Sequence, residues 1–180
     1  MRIRQLLSRC FSKIQSISFY RAIARLARSG IIIEEANHID MQKVNSWLSP
    51  HQKAPESFKP HVTNFVAKRV EKVIGFVQLV RHPDDSPCAG YWLFSLLVKI
   101  SYRRVGIVEE LTRAVIKKAK EEGAQELFLF VREDSNNAIR LYQNIGFKMK
   151  KIPALEEILM EEKLKRGYRR VVMSKLLCNI

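Results

Sequence analysis

Apolar and polar positions along this chain change period several times, and the changes divide it into elements. Ile3, Leu7, Cys10, Ile14 and Ile17 recur at steps of three and four with Arg and Lys between them, which is helical spacing with one apolar and one basic face. From Gly30 that period stops. Ile31-Ile32-Ile33 predicts a β-branched strand, and Asn37 can cap a helix over 38–48 that Ser49-Pro50 ends. Residues 51–60, with Pro55 and Pro60, read as an irregular connection. Two strands follow, over 61–70 and 73–81, turned tightly at Glu71-Lys72. A loop rich in turn formers, His82-Pro83-Asp84-Asp85-Ser86-Pro87, separates them from a third strand over 91–100. That strand is apolar at nearly every position, so both of its faces are expected to be covered.

Beyond it the pattern becomes βαβ. Gly106 opens a helix with Val108, Leu111, Val115 and Ala119 on one side, and Gly123 stands where a C-terminal cap belongs. Leu127-Phe128-Leu129-Phe130-Val131 predicts a buried strand parallel to the third, by the crossover rule. A helix over 136–145, a strand from Phe147, a charged helix over 154–165 and a final strand over 168–177 complete the chain. The fold class is α/β: a mixed sheet, antiparallel early and parallel at one late βαβ unit, covered by helices.

Composition narrows the class. Of 180 residues, 47% are hydrophobic and 28% charged, with only 7 Gly and 6 Pro, which suits a domain with a sizeable core rather than a disordered or fibrous chain. No run of 18 apolar residues occurs, so no transmembrane helix is expected. Cys10, Cys88 and Cys178 lie far apart with no C-x-x-C pair, so neither a zinc knuckle nor a disulfide framework is expected, and no metal site. A reducing, cytoplasmic setting is the simpler reading.

Charge adds more. Half of the net charge of +14 lies in residues 1–33, which hold seven basic side chains and no acidic one. This divides the chain into a basic arm, 1–29, and a modestly basic domain, 30–180, and points to anionic partners. The arm's pattern fits a helix packed on the domain, a helix lying on anionic lipid, in a eukaryote an organelle transit peptide, or a nucleic-acid-binding arm without a recognisable module. Oligomeric state is left open, a homodimer included.

Chemistry concentrates at two places. Tyr102-Arg103-Arg104-Val105-Gly106-Ile107-Val108 joins a buried strand to a helix. Outward backbone N–H groups, a helix N-terminus and two arginines make such a turn a candidate pyrophosphate site. About thirty residues on, Ala138-Ile139-Arg140-Leu141-Tyr142-Gln143-Asn144-Ile145-Gly146-Phe147 ends a helix and begins a strand.

Together these segments resemble the GCN5-related N-acetyltransferase family. Its loop [QR]-x-x-G-x-[GA] is met by Arg103 and Gly106, with Val108 in place of the small residue. Its motif N-x-x-A-[IL]-x-L-Y-x-x-x-G-F is met by Ala138, Ile139, Leu141, Tyr142, Gly146 and Phe147. The resemblance implies that two adjacent parallel strands splay apart and that acetyl-CoA lies in the gap. It implies that backbone groups of Leu96, Leu97 and Val98 pair with the pantetheine arm, and that Arg103, Arg104, Val105, Gly106, Ile107 and Val108 hold the pyrophosphate. An N–H near Val98 would polarise the thioester carbonyl, and Tyr142 would protonate the leaving thiolate. Tyr142 also shares a helical face with Ala138, Leu141 and Ile145, as a core tyrosine would.

Two further departures stand beside Val108. Ser135 replaces the family's cofactor-binding asparagine, with Asn136 next to it. Phe130 occupies the position where members that acetylate protein N-termini often carry a glutamate base. A lysine amine is neutral only about 0.04% of the time at pH 7 and an α-amine about 14%, so a site without a strong base suits a low-pKa amine. His82, Asp84, Asp85 and Glu71 are the candidates for a relayed base. Lys117, Lys118 and Lys120, and Arg166, Arg169 and Arg170, are either solvated faces or contacts for the CoA 3′-phosphate. The reading is therefore an acetyl-CoA-dependent N-acetyltransferase acting on a primary amine, a protein α-amine or a small amine. The alternative is a weak or inactive acyl-CoA-binding module that serves regulation or docking on membrane or nucleic acid.

Overall fold

The computed structural model describes residues 30–47 and 61–177; the basic arm and the irregular connection lie outside the described residues. In chain order the elements are β1 (Ile31–Glu35), α1 (His38–Asn45), β2 (Val62–Arg69), β3 (Lys72–His82), β4 (Gly90–Val98), α2 (Ile107–Glu121), β5 (Glu126–Arg132), α3 (Asn136–Ile145), β6 (Lys148–Lys150), α4 (Pro153–Arg166) and β7 (Arg170–Leu176). A single 3₁₀ turn, Ile100–Tyr102, links β4 to α2. The strands form one mixed sheet in the order β1-β2-β3-β4-β5-β7-β6. Among the described residues β4 and β5 are the only parallel neighbours, joined through α2 as a βαβ unit.

Most boundaries differ from the sequence reading by a residue or two, the third strand ending at Val98 rather than 100, and two differences have a visible cause. The helix expected over 38–48 stops at Asn45, where the Ser46 hydroxyl donates to the Lys43 carbonyl at 2.7 Å and satisfies one of the terminal acceptors. The turn between β2 and β3 is Val70-Glu71, one residue earlier than expected, because Arg69 pairs with Lys72. Val70 takes φ +54, a left-handed conformation that a β-branched residue strongly disfavours. No propensity rule would put valine there.

Helix α1 is fixed at its start. The Asp40 N–H donates to Asn37 Oδ1 at 2.9 Å and the Asn37 N–H donates to Asp40 Oδ2 at 3.1 Å, a reciprocal cap. Buried Asp40 also meets Lys68 Nζ on β2 at 2.9 Å, and Lys68 reaches Glu34 on β1 as well. Hydrogen bonds that Lys68 donates to the Glu34 and Asp40 carboxylates hold its ammonium above the usual lysine range.

Alternate side chains divide the sheet into two faces. One packs under α2 and α3 and forms the main core, with Leu93, Leu111, Leu127, Leu129 and Tyr142. The other is covered in two parts: Val66 and Phe76 by Met41 and Val44 of α1, and Trp92 and Val172 by Leu155 and Leu159 of α4. Helix α2 lies unusually close to β3. A Cβ on Gly75 would meet Leu111 Cδ1 at 3.0 Å, Ile107 Cγ2 at 3.1 Å and Ala67 Cβ at 3.2 Å. Glycine there lets the first turn of α2 settle on the sheet, and that turn carries the candidate phosphate loop.

Candidate functional site

Strands β4 and β5 pair at only three positions, Tyr91 with Leu127, Trp92 with Phe128 and Leu93 with Leu129. Past Leu93 they part. Neither strand frays, because β4 stays paired to β3 as far as Val98 and β5 stays paired to β7 as far as Arg132. The sheet thus contains a fork with both prongs held from outside.

A bulge shapes one prong. Phe94 pairs with Gln78 and Leu97 with Phe76, so Ser95 and Leu96 together oppose Val77. Ser95 takes φ +52. One extra residue bends the strand and reverses the alternation after it, so Leu96 and Val98 join the core that holds Leu93. Here the structure corrects the expectation that this strand is covered on both faces: Leu96 and Leu97 are half-exposed, since the fork removes their neighbour on one side.

The loop beyond β4 is braced at its root. The Lys99 N–H donates to the Ile74 carbonyl at 2.9 Å, and Arg103 Nε donates to the Val98 carbonyl at 3.2 Å. Arg104 (φ +67) and Gly106 (φ +93) are both left-handed, and Gly106 is the N-cap of α2 with no side chain to satisfy the first-turn amides. In an α-helix those amides have no internal acceptor. A Cβ built on Gly106 meets nothing within 4 Å, so its φ, rather than any neighbour, calls for glycine there. Arg103, Arg104 and Val105 are exposed and Ile107 is buried beneath the turn. Val108 packs against the main core, so its bulk does not stand over the loop.

Helix α3 starts beside the prong of β5. The Ser135 N–H donates to the Arg132 carbonyl at 3.0 Å, and Ser135 is the N-cap, yet its hydroxyl makes no capping hydrogen bond. Asn136 follows it, exposed. Two turns on, Tyr142 is buried in the main core, edge-on to Phe147 at 5.7 Å between ring centroids. Its face is shared with Ala138, Leu141 and Ile145, as the sequence pattern indicated. Burial pushes the phenol up to about 12. Among the described residues no hydrogen-bond partner meets its hydroxyl.

The opposite face of the fork is aromatic. Trp92 stacks on Phe128 at 5.1 Å and on Phe130 at 4.6 Å, and the Arg170 guanidinium lies 4.5 Å from the Phe130 centroid. Sequence reasoning assigned Phe130 to the position of a missing base but did not foresee this wall. The alternation of Phe128 and Phe130 with Leu127 and Leu129 was the available signal.

Other candidates lie elsewhere. Lys117, Lys118 and Lys120 sit in the last turns of α2, roughly 15 Å from its first turn at 1.5 Å per residue. Lys118 meets Glu35 and Glu122 there, so this cluster is not brought to the phosphate loop. Arg166 and Arg170 pair with Glu162, and Arg169 approaches Glu133 and Glu156. Asp84 and Asp85 lie in the turn after β3, at the closed end of the fork, and Glu71 lies in the β2–β3 turn. Of the proposed relays only His82 approaches the fork's crotch, edge-on to Phe94 at 5.9 Å.

A forked mixed sheet with a helix N-terminus at one prong and a buried tyrosine behind the other defines the acyl-CoA N-acyltransferase class of folds. Residues 2–147 match the model of the acetyltransferase (GNAT) family, and the chain belongs to that family. Human N-acetyltransferase 8 is 37% identical over 87 residues, 47% of this chain and 37% of that protein. An N-alpha-acetyltransferase of Sulfurisphaera tokodaii is 42% identical over 59 residues, 32% of this chain and 35% of that protein. The chain therefore matches little more than a third of the length of these curated relatives. Among solved structures, a Bacillus anthracis protein determined with acetyl coenzyme A bound superimposes with a TM-score of 0.62 at 17% identity, covering 82% of this chain and 98% of that one.

Proposed function

We propose that this protein transfers the acetyl group of acetyl-CoA to a primary amine of low pKa, an α-amine in preference to a lysine side chain. The observation that carries this is the fork between Leu93 and Val98 on β4, opening beside the uncapped first turn of α2. An acyl-CoA thioester supplies an activated acetyl group and a long arm with amides, and the arm's length and polarity suit such a gap.

The chain's own groups then divide the work. Main-chain N–H groups of the loop at Gly106 and of the first turn of α2, with Arg103 and Arg104, hold the pyrophosphate. Backbone groups of Leu96, Leu97 and Val98 take the place of a strand neighbour for the pantetheine amides, and an N–H near Val98 polarises the carbonyl. The Ser135 hydroxyl, which caps no amide of its own helix, and the Asn136 amide hydrogen-bond the same ligand. Tyr142, on the main-core side, donates its proton toward the departing sulfur. A phenol near 12 is a much weaker acid than a thiol near 8.5, so the proton moves with C–S cleavage rather than ahead of it. The amine enters from the other face, which Phe94 and Phe130 border; Glu162, the carboxylate beside the Arg170 that covers Phe130, is already paired with Arg166 and Arg170. It must arrive neutral or lose its proton to water, which favours an α-amine by a factor on the order of 10² at pH 7.

The test is an acetyl-transfer assay on purified full-length protein, with mass-spectrometric detection across peptides with free N-termini, free amino acids and blocked lysine peptides. Acetylated α-amines are the expected product. Tight binding of acetyl-CoA with no transfer to any amine would instead make the chain a binding module, a reading that Phe130 and Ser135 favour.

A further inference from the structure

One end of the sheet carries apolar side chains that local energetics would not place there. Val70 stands at the tip of the β2–β3 turn with φ +54 and is 82% exposed. A left-handed conformation disfavours a residue with a Cβ by a factor on the order of ten, and so exposed a side chain gains little packing in return. Glycine would form the same turn without strain. Ile100, 80% exposed, stands at the same end, because the Lys99 N–H is tied to Ile74 of β3.

The ground between these tips is cationic. A shallow hollow of about 540 Å³ is lined by Lys43, Trp47, Arg69, Lys72 and Lys99 together with the turn itself. The Lys99 ammonium lies 4.3 Å from the Trp47 ring centroid, and Lys43 Nζ donates to the Glu71 carbonyl at 2.9 Å. Glu71 is the sole acidic residue lining this hollow among the described residues.

We infer that this end of the sheet docks on an anionic lipid bilayer. Val70 and Ile100 enter the apolar boundary while the surrounding Arg69, Lys72 and Lys99 meet the headgroup anions. A nucleic acid would satisfy the cations but leave both apolar tips in water, so it accounts for half of the surface. The inference does not rest on acetyl transfer, and it concerns the domain rather than the basic arm. Since the fork opens at this same end, docking brings its mouth beside the membrane.

The experiment is co-sedimentation of the full-length protein with phosphatidylcholine vesicles, with and without 30% phosphatidylserine. The wild type is expected to partition onto the anionic vesicles and to be released by high salt. Val70→Gly, which relieves the turn, is expected to lower partitioning about tenfold while thermal stability is kept or raised. Lys72→Gln is expected to lower it about fivefold. Unchanged partitioning of both variants would overturn the proposal, since binding would then belong to another part of the chain. So would a wild type that ignores anionic vesicles, or one that binds poly-uridylate instead and loses that binding in the same variants.

Discussion

Phe94 and Phe130 face one another across the fork, ring centroids 6.1 Å apart, each one step past the last laterally paired residues, Leu93 and Leu129. Aromatic carbon therefore borders the point where an amine would meet an acyl group in the fork. Among the described residues, Glu162, the carboxylate beside this wall, is tied up by Arg166 and Arg170, so rate should follow the acceptor's own titration. For an α-amine, kcat/KM is expected to rise about tenfold per pH unit below pH 7.8 and to level off near pH 8. Phe130→Glu would place a carboxylate where the Arg170 guanidinium now covers a ring, and should move the rising limb to lower pH. Initial rates between pH 6 and 9.5 decide the matter.

Tyr142→Phe removes the hydroxyl and keeps the packing against Phe147. Turnover is expected to fall on the order of 10²-fold, with the dissociation constant of acetyl-CoA nearly unchanged. Because burial holds the phenol near 12, the wild type should show no falling limb from this group below pH 10. Titration calorimetry alongside steady-state rates would separate the two effects.

The same phenol links stability to pH. In the unfolded chain it loses its proton near 10, but in the folded protein near 12, so over that window the unfolded state binds fewer protons. Stability should fall as pH rises from 10 to 12, by roughly 2–3 kcal/mol. Tyr142→Phe should lack this component when the two proteins are compared by urea denaturation at pH 9 and pH 11.5.

Gly75→Ala tests the seat of the phosphate loop. The added methyl would meet Leu111, Ile107 and Ala67 at 3.0 to 3.2 Å, and Ile107 directly follows Gly106. Overpacking of this kind costs about 1–3 kcal/mol. Both the melting temperature and acetyl-CoA affinity are expected to drop, whereas Gly123→Ala, in open space at the far end of α2, should lower stability only.

Lys175 ties the sheet to the helix that carries Tyr142. Its Nζ donates to the Ile145 carbonyl at 2.8 Å, and burial together with Lys120 and Arg113 pulls its pKa below the usual lysine range. Lys175→Met should cost about 1–2 kcal/mol by freeing the end of α3. Turnover should fall with acetyl-CoA affinity kept, as expected of a residue that positions Tyr142.

Much of this was readable before any coordinates. The apolar alternation of Leu127 to Val131, the capping residue Asn37 and the glycines at 106, 123 and 146 carry their structural reasons in their own chemistry. Ser95 does not: a bulge needs one extra residue, and serine at φ +52 leaves no compositional trace. The Val70 turn was misplaced for a related reason, since the rules put glycine or asparagine where the chain has valine. The lysines of α2 fit either a solvated face or a phosphate contact in the sequence; their place in the last turns of the helix, ion-paired in part to Glu35 and Glu122, agrees with the first. The part of Phe128 and Phe130 in the aromatic wall is not legible in the sequence, because a strand buried on both faces and a strand bordering a cleft share the same apolar run.

The Ser95 bulge has a dynamic corollary. Open sheets ordinarily exchange their amide hydrogens fastest at the margins and slowest at the centre. In this molecule the inward-facing amides of residues 96–98 lack a lateral partner although they belong to a central strand. Deuterium should therefore enter from the middle outward, and a bound thioester should slow uptake there before anywhere else.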